Sequence, residues 1–266
     1  MENILLPSKM SFTATEQENE SVLVIEPLHH GYGTTVGNSL RRVLLSSLEG
    51  AAVTAVKIKG ANHEFSTIEG VKEDILEIVM NLKQLRMKIH AAEAVTLKIE
   101  ITGREDEVTA ADIQANADVE IVNKDLVLAT LSDKKIPFNM EITVDRGRGF
   151  LPTEEQDTTG NDIGVIAIDA LFSPVLSVGI KVENTRVGEI TNYDKVIMNI
   201  RTDGTITPQE GVEQATKIIL NHFNWVESQL NHATLTEKIT SAQEENAAAA
   251  EEEVKEEATK EASDEE

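Results

Sequence analysis

Residues 30–47 read HGYGTTVGNSLRRVLLSS, and the glycines and paired arginines in this stretch are the groups best placed to do chemistry. Glycines ahead of a helix can present backbone N–H groups to a phosphate, and guanidinium groups can fork onto carboxylates or carbonyls. The phosphate reading needs a particular layout: G-x-G-x-x-G for a dinucleotide, or a loop ending in G-K-[ST] for a nucleotide. Here the spacing is Gly31-x-Gly33-x-x-x-Gly37 with no lysine behind it. The third glycine also falls inside the helical pattern and not in the turn before it. The spacing argues against a phosphate loop.

The arginines point elsewhere. Val36, Leu40, Val43, Leu44 and Leu48 form one apolar stripe, which predicts a helix over about 34–48. A mid-helix glycine costs about 1 kcal/mol against alanine. Gly37 lies on the side of the stripe, so the spacing predicts close approach of another backbone there. Arg41 and Arg42 diverge by about 100° around the helix. At least one must flank the stripe, ready for a partner's carboxylate or carbonyl.

Other chemistry is thinner. Histidines stand at 29, 30, 63, 90, 222 and 232 without an HExxH pair, and there is no cysteine, so no metal site is expected. Arg146-Gly147-Arg148-Gly149 is a single RGRG copy, read as a loop. Glu73, Asp74 and Glu77 fall on the polar side of a helical pattern and read as a solvated face. Two-metal nucleotidyl transfer needs converging carboxylates, and no dense aspartate cluster occurs. No catalytic residue and no cofactor are expected in this chain.

The elements that must carry these residues follow from periodicity. A strand is expected at 21–28, and β structure at 51–60. A second amphipathic helix is expected over 71–87, with Val71, Ile75, Ile78, Val79 and Leu82 on one face. Strands dominate 94–152 and resume after the acidic loop TEEQDTTGND. Thr207-Pro208-Gln209-Glu210 is a capping box with proline at the first helical position. It opens a helix running to about Leu230, whose stripe Val212, Ala215, Ile219, Phe223, Val226 and Leu230 calls for a helical partner.

Net charge is −23 over 266 residues, with aromatic residues only 3%. From Glu237 to Glu266 there are 12 acidic and 3 basic residues, and the remainder of the chain still carries −14. Such a surface repels a nucleic-acid backbone, and few rings are available for base stacking. The charge also raises the alternative of an acidic chaperone or DNA mimic. With no long apolar run, a cytoplasmic protein without membrane contact is expected. Residues 233–266 are expected to form an acidic disordered tail.

The run EPLHHGYGTTVGNSLRRVLLSSLEGAAVTAVKIKG resembles the signature of the bacterial RNA polymerase alpha-subunit family. HEFSTIEGVKEDILEIVMNLK, VTAADI, RGRGFLP, DALFSPV and YDKVIMNIRTDGTITPQEG follow in that family's order, so the resemblance covers about residues 20–230. It implies an α+β fold: a dimerisation domain of helices on a β-sheet at 15–50 and 177–232, interrupted by an inserted β-rich domain at 51–176. It also implies a non-catalytic scaffold that homodimerises and assembles the beta and beta-prime subunits, with omega in the completed core and DNA met only through the complex. By position, the family's beta contact falls on Gly37, Asn38, Arg41, Arg42 and Leu45. Its beta-prime contact falls on Lys83, Ile168 and Val175. Its dimer interface falls on Tyr32, Leu40, Val43, Leu44, Ile219, Phe223 and Val226. This sequence departs from the family pattern at His29, His30, Asn62 and Gly179-Ile180. Relatives continue into a helix-hairpin-helix DNA-binding domain that is not matched here, which implies no upstream-promoter contact by this chain.

Overall fold

The computed structural model describes residues 4, 6–156, 162, 164–188 and 190–230. The acidic segment 233–266 and residues 157–161 of the TEEQDTTGND loop lie outside the described residues. Through Thr216 the chain forms one compact unit, and a second begins at Lys217.

In chain order the first unit opens with strands β1 (Lys9–Ala14) and β2 (Glu20–Leu28), helix α1 (Tyr32–Ser46) and strand β3 (Glu49–Ile58). Helix α2 (Ile75–Leu82) and the short strand β4 (Met87–Ile89) precede β5 (Val95–Ile101), β6 (Glu107–Thr109), β7 (Val119–Ile121) and β8 (Val127–Thr130). Next come β9 (Phe138–Arg148), β10 (Phe150–Leu151), β11 (Val165–Ala167), β12 (Ala170–Leu171), β13 (Val175–Val187) and β14 (Ile190–Thr202). Helix α3 occupies residues 208–230 and continues from the first unit into the second.

Two four-stranded antiparallel sheets organise the first unit, so the fold is α+β. The first runs β1-β2-β14-β13 and the second β11-β3-β9-β5. They draw on different stretches of sequence: the first sheet on residues 9–28 and 175–202, the second on strands between 49 and 167. β3 begins at Glu49, two residues ahead of the start of the expected 51–176 insert, and β13 at Val175, one residue ahead of its end.

Each sheet buries one face. In β14 the inward positions alternate through Asp194, Val196, Met198, Ile200 and Thr202, and α1 lies against β13 and β14. In the second sheet Ile99, Met140 and Ile142 pack in one cluster with Ile75, Ile78 and Leu82 of α2.

Helix α2 is shorter than its pattern suggests. Asp74 accepts a hydrogen bond from the Glu77 backbone N–H at 3.1 Å and caps the helix, which leaves Val71 outside in a bridge to Leu131. Glu73 is not a solvated face either. Its carboxylate accepts from the Thr130 N–H at 2.6 Å and from the Thr130 hydroxyl at 2.7 Å, tying the α2 entrance to β8. RGRG is mostly strand and not loop: Arg146 to Arg148 close β9, and Arg146 pairs with Glu49 at 2.6 Å. The capping box at α3 forms as its residues require. The Glu210 carboxylate accepts from the Thr207 N–H at 2.8 Å, and the Thr207 hydroxyl accepts from the Glu210 N–H at 3.2 Å.

Candidate subunit-docking surface

Helix α1 is built to lie flat on a sheet and show a flanking face. Gly31 takes the left-handed conformation at its N-terminus (φ 84°) and carries no side chain to cap the helix. The cap comes from β14: one oxygen of the buried Asp194 carboxylate accepts from the Gly31 N–H at 2.9 Å and from the Gly33 N–H at 3.0 Å. These are the N–H groups that a phosphate would need, and the chain's own aspartate fills them. The N-terminus of α1 is a closed structural joint.

Gly33, Gly37, Leu40 and Leu44 are the buried positions of α1. A Cβ at Gly33 would stand 2.9 Å from both the Asp194 Cβ and a Val182 methyl. At Gly37 the close neighbours are side-chain methyls, Ile180 at 3.3 Å and Val196 at 3.5 Å, so the approach is to side chains and not to the backbone that the sequence pattern suggested. Leu44 is covered further by the start of α3, where a Cβ at Gly211 would lie 3.6 Å from its methyl.

The flanking face carries Asn38, Arg41, Arg42 and Leu45, at i, i+3, i+4 and i+7 on one side of the helix. Asn38, Arg41 and Arg42 are exposed and Leu45 is half-buried. Among the described residues neither arginine forms an ion pair. The nearby hydroxyls turn inward along the helix: Ser39 donates to the Thr35 carbonyl at 2.7 Å and Ser46 to the Arg42 carbonyl at 2.8 Å. The guanidinium groups are therefore the strongest donors this face offers.

The residues expected to meet partners divide by burial. Tyr32 is exposed, Val43 and Ile219 are half-buried, and Phe223 and Val226 are 66% and 47% exposed. Gly37, Leu40, Leu44, Ile168 and Val175 are buried within this chain. The glycine is interior because it seats α1 on the sheet, and the apolar four because the alternation of their own elements turns them inward. They shape a surface from beneath and do not line it. Lys83 remains accessible, bonded at 3.0 Å to Asp169. The other Asp169 oxygen accepts from the Thr153 N–H at 3.0 Å. That backbone bond, followed by the Lys83 ammonium, holds the Asp169 carboxyl below the ordinary aspartate range.

Asp194, Glu73 and Gly33 have structural roles that sequence reasoning did not assign. For Asp194 a signal existed: a carboxylate in register with Val196, Met198 and Ile200 faces the core and must find donors there. Among the described residues no group of three His, Asp or Glu converges to hold a metal ion, and no helix is long and apolar enough to cross a membrane.

Helix α1, seated on the first sheet, exposes an arginine pair, and the second sheet forms a separate β-rich layer. The second layer itself matches a known family: residues 56–173 fit the family described as RNA polymerase Rpb3/RpoA insert domain. The DNA-directed RNA polymerase subunit alpha of Alkaliphilus oremlandii is 50% identical over 220 residues, 83% of this chain and 69% of that protein. Those of Oceanobacillus iheyensis and Carboxydothermus hydrogenoformans are 53% and 52% identical over 201 and 211 residues, covering 76% and 79% of this chain and 63% and 67% of theirs. The chain thus spans about two thirds of the length of these relatives, and it belongs to the DNA-directed RNA polymerase alpha-subunit family.

Proposed function

We propose that this chain is the assembly scaffold of a cytoplasmic DNA-dependent RNA polymerase. It homodimerises and recruits the two large subunits, beta and beta-prime, with omega joining the completed core. The observation that carries the reading is the arginine pair. In a chain with 47 acidic and 24 basic residues, carboxylates are in excess, yet Arg41 and Arg42 pair with none among the described residues. A bidentate donor left bare in such surroundings is available to another polypeptide. We assign the beta subunit to the Asn38, Arg41, Arg42 and Leu45 face, and beta-prime to the surface around Lys83.

The dimer reading rests on the apolar stripe of α3. Val212 and Ala215 are buried, whereas Phe223, Val226 and Leu230 are 66%, 47% and 64% exposed. An apolar row exposed on one helix is the kind of surface a second copy covers with its own. Nucleotidyl transfer falls to other subunits, and DNA is met only through the assembly.

The test is co-expression with the two large subunits, with sedimentation of the chain alone. The expected result is a dimer that co-elutes with both. A chain that stays monomeric and elutes apart from both would refute the proposal.

A further inference from the structure

We propose that Asp194 is a positioning residue for the docking helix: its carboxylate, carried on β14, sets where the arginine face of α1 stands. The inference rests on the docking reading above and adds a residue to it. The contact is long-range, 163 residues along the chain from Asp194 to Gly31. It is also the fastening that the helix cannot supply for itself. Gly31 has no side chain, and the nearby Thr34 and Thr35 hydroxyls donate to the Gly31 carbonyl at 3.0 and 3.4 Å, away from the open N–H groups.

Geometry leaves little slack. Asp194 is 5% exposed and its Oδ2 holds the amides of Gly31 and Gly33 at the start of the helix. A carboxylate at a helix N-terminus also meets the positive end of the helix dipole. The Gly33 Cα lies so close that an added Cβ would be 2.9 Å from the aspartate's own Cβ. The second oxygen, Oδ1, has His30 Nδ1 at 3.8 Å, on a ring largely in solvent. Asp194 thus fixes the first turn of α1. The helix is a rigid rod of 15 residues, so Asn38, Arg41, Arg42 and Leu45 take their places from that fixed end. Without the anchor the first turn frays, and a face that must meet its partner with four side chains at once loses its preorganisation.

The experiment compares Asp194→Ala and Asp194→Asn with Arg42→Ala, each in the whole chain. Three quantities are read: amide hydrogen exchange across residues 31–46, capture of the beta subunit at matched expression, and dimer formation by sedimentation. Asp194→Ala should exchange at least about tenfold faster at Gly31 and Gly33, since each of these two amides loses a bond to a charged acceptor. It should capture beta at least about tenfold less well while remaining dimeric. Asp194→Asn keeps the shape and one acceptor oxygen but drops the charge, and should fall between the alanine variant and wild type in both readouts. Unchanged exchange in the alanine variant overturns the anchor. Unchanged capture there, with Arg42→Ala impaired, overturns the positioning role. Should the alanine variant fail to fold, an asparagine variant matching wild type in both readouts overturns the proposal. If Arg42→Ala captures beta as wild type does, the docking reading fails, and the exchange rates alone decide whether Asp194 anchors the helix.

Discussion

Replacing Gly33 with alanine puts a methyl group 2.9 Å from three atoms at once: the Asp194 Cβ, its Oδ2 and a Val182 methyl. None of these can swing away cheaply, because Asp194 is held by two backbone N–H groups and both strands lie in one sheet. Overpacking of this kind costs about 1–3 kcal/mol. Helix propensity works in the opposite direction by about 1 kcal/mol, less in the first turn. The clash wins, with a net loss of about 1–2 kcal/mol. Gly37→Ala is the internal control. There the new methyl meets flexible methyls of Ile180 at 3.3 Å and Val196 at 3.5 Å, which need to yield only slightly, so the propensity gain is nearly free. Urea unfolding by circular dichroism, at one protein concentration because a dimer's stability depends on it, separates the two. For a slope of about 2 kcal/mol/M, Gly33→Ala should lower the midpoint by about 0.5–1 M. Gly37→Ala should leave it unchanged or raise it. A Gly33→Ala midpoint at or above wild type, or a larger loss at Gly37, would refute the account of how α1 sits on its sheet.

Further outcomes concern the second sheet and the Lys83 surface. Gly147→Ala drives a methyl to 2.7 Å from the buried Phe172 ring, so its melting midpoint should fall by the equivalent of about 2 kcal/mol or more. Adding Phe172→Leu should recover part of the loss. Asp74→Ala removes the α2 cap and should cost about 1 kcal/mol in urea unfolding. The Asp169 carboxyl is held low in the folded state, first by the Thr153 N–H and then by Lys83, so its contribution is complete above the ordinary aspartate value and is lost as pH falls through the lowered one. Acid unfolding should show wild type more stable than Asp169→Asn at neutral pH. The gap should close at low pH, and it should be modest because the carboxyl is 39% exposed.

What could be read without coordinates was mainly local. The α1 stripe, the α3 capping box and the strand segments VTLKIEIT, IPFNMEITV and KVIMNIRT each follow from residues within a few positions of one another, where periodicity and capping act. The parts that escaped are joints between distant segments. Asp194 reaches Gly31 and Gly33 across more than half the chain, Glu73 reaches Thr130, and the Phe172 ring fills the space above Gly147. No local pattern encodes which strand lies beside which, so the partner of a buried carboxylate or of a close-packed glycine is invisible until the sheet order is known. The same limit explains the arginine face. Sequence spacing placed Arg41 and Arg42 at the margin of the stripe, but only β13 and β14 beneath the helix show which side remains open. The apolar positions that family resemblance assigns to partners include Leu40, Leu44, Ile168 and Val175, all buried within this chain: hydrophobicity marks a buried face without saying what buries it.

The claim beneath all of this is that one face of α1 binds a large subunit while the dimer is held elsewhere. Arg42→Ala tests it most directly, because that side chain is exposed, forms no ion pair among the described residues and supports no core contact of its own. Co-expressed with the beta subunit and examined by sedimentation and co-elution, the variant should remain a dimer and lose beta. A variant that falls apart into monomers, or that still carries beta in wild-type amounts, would contradict the account.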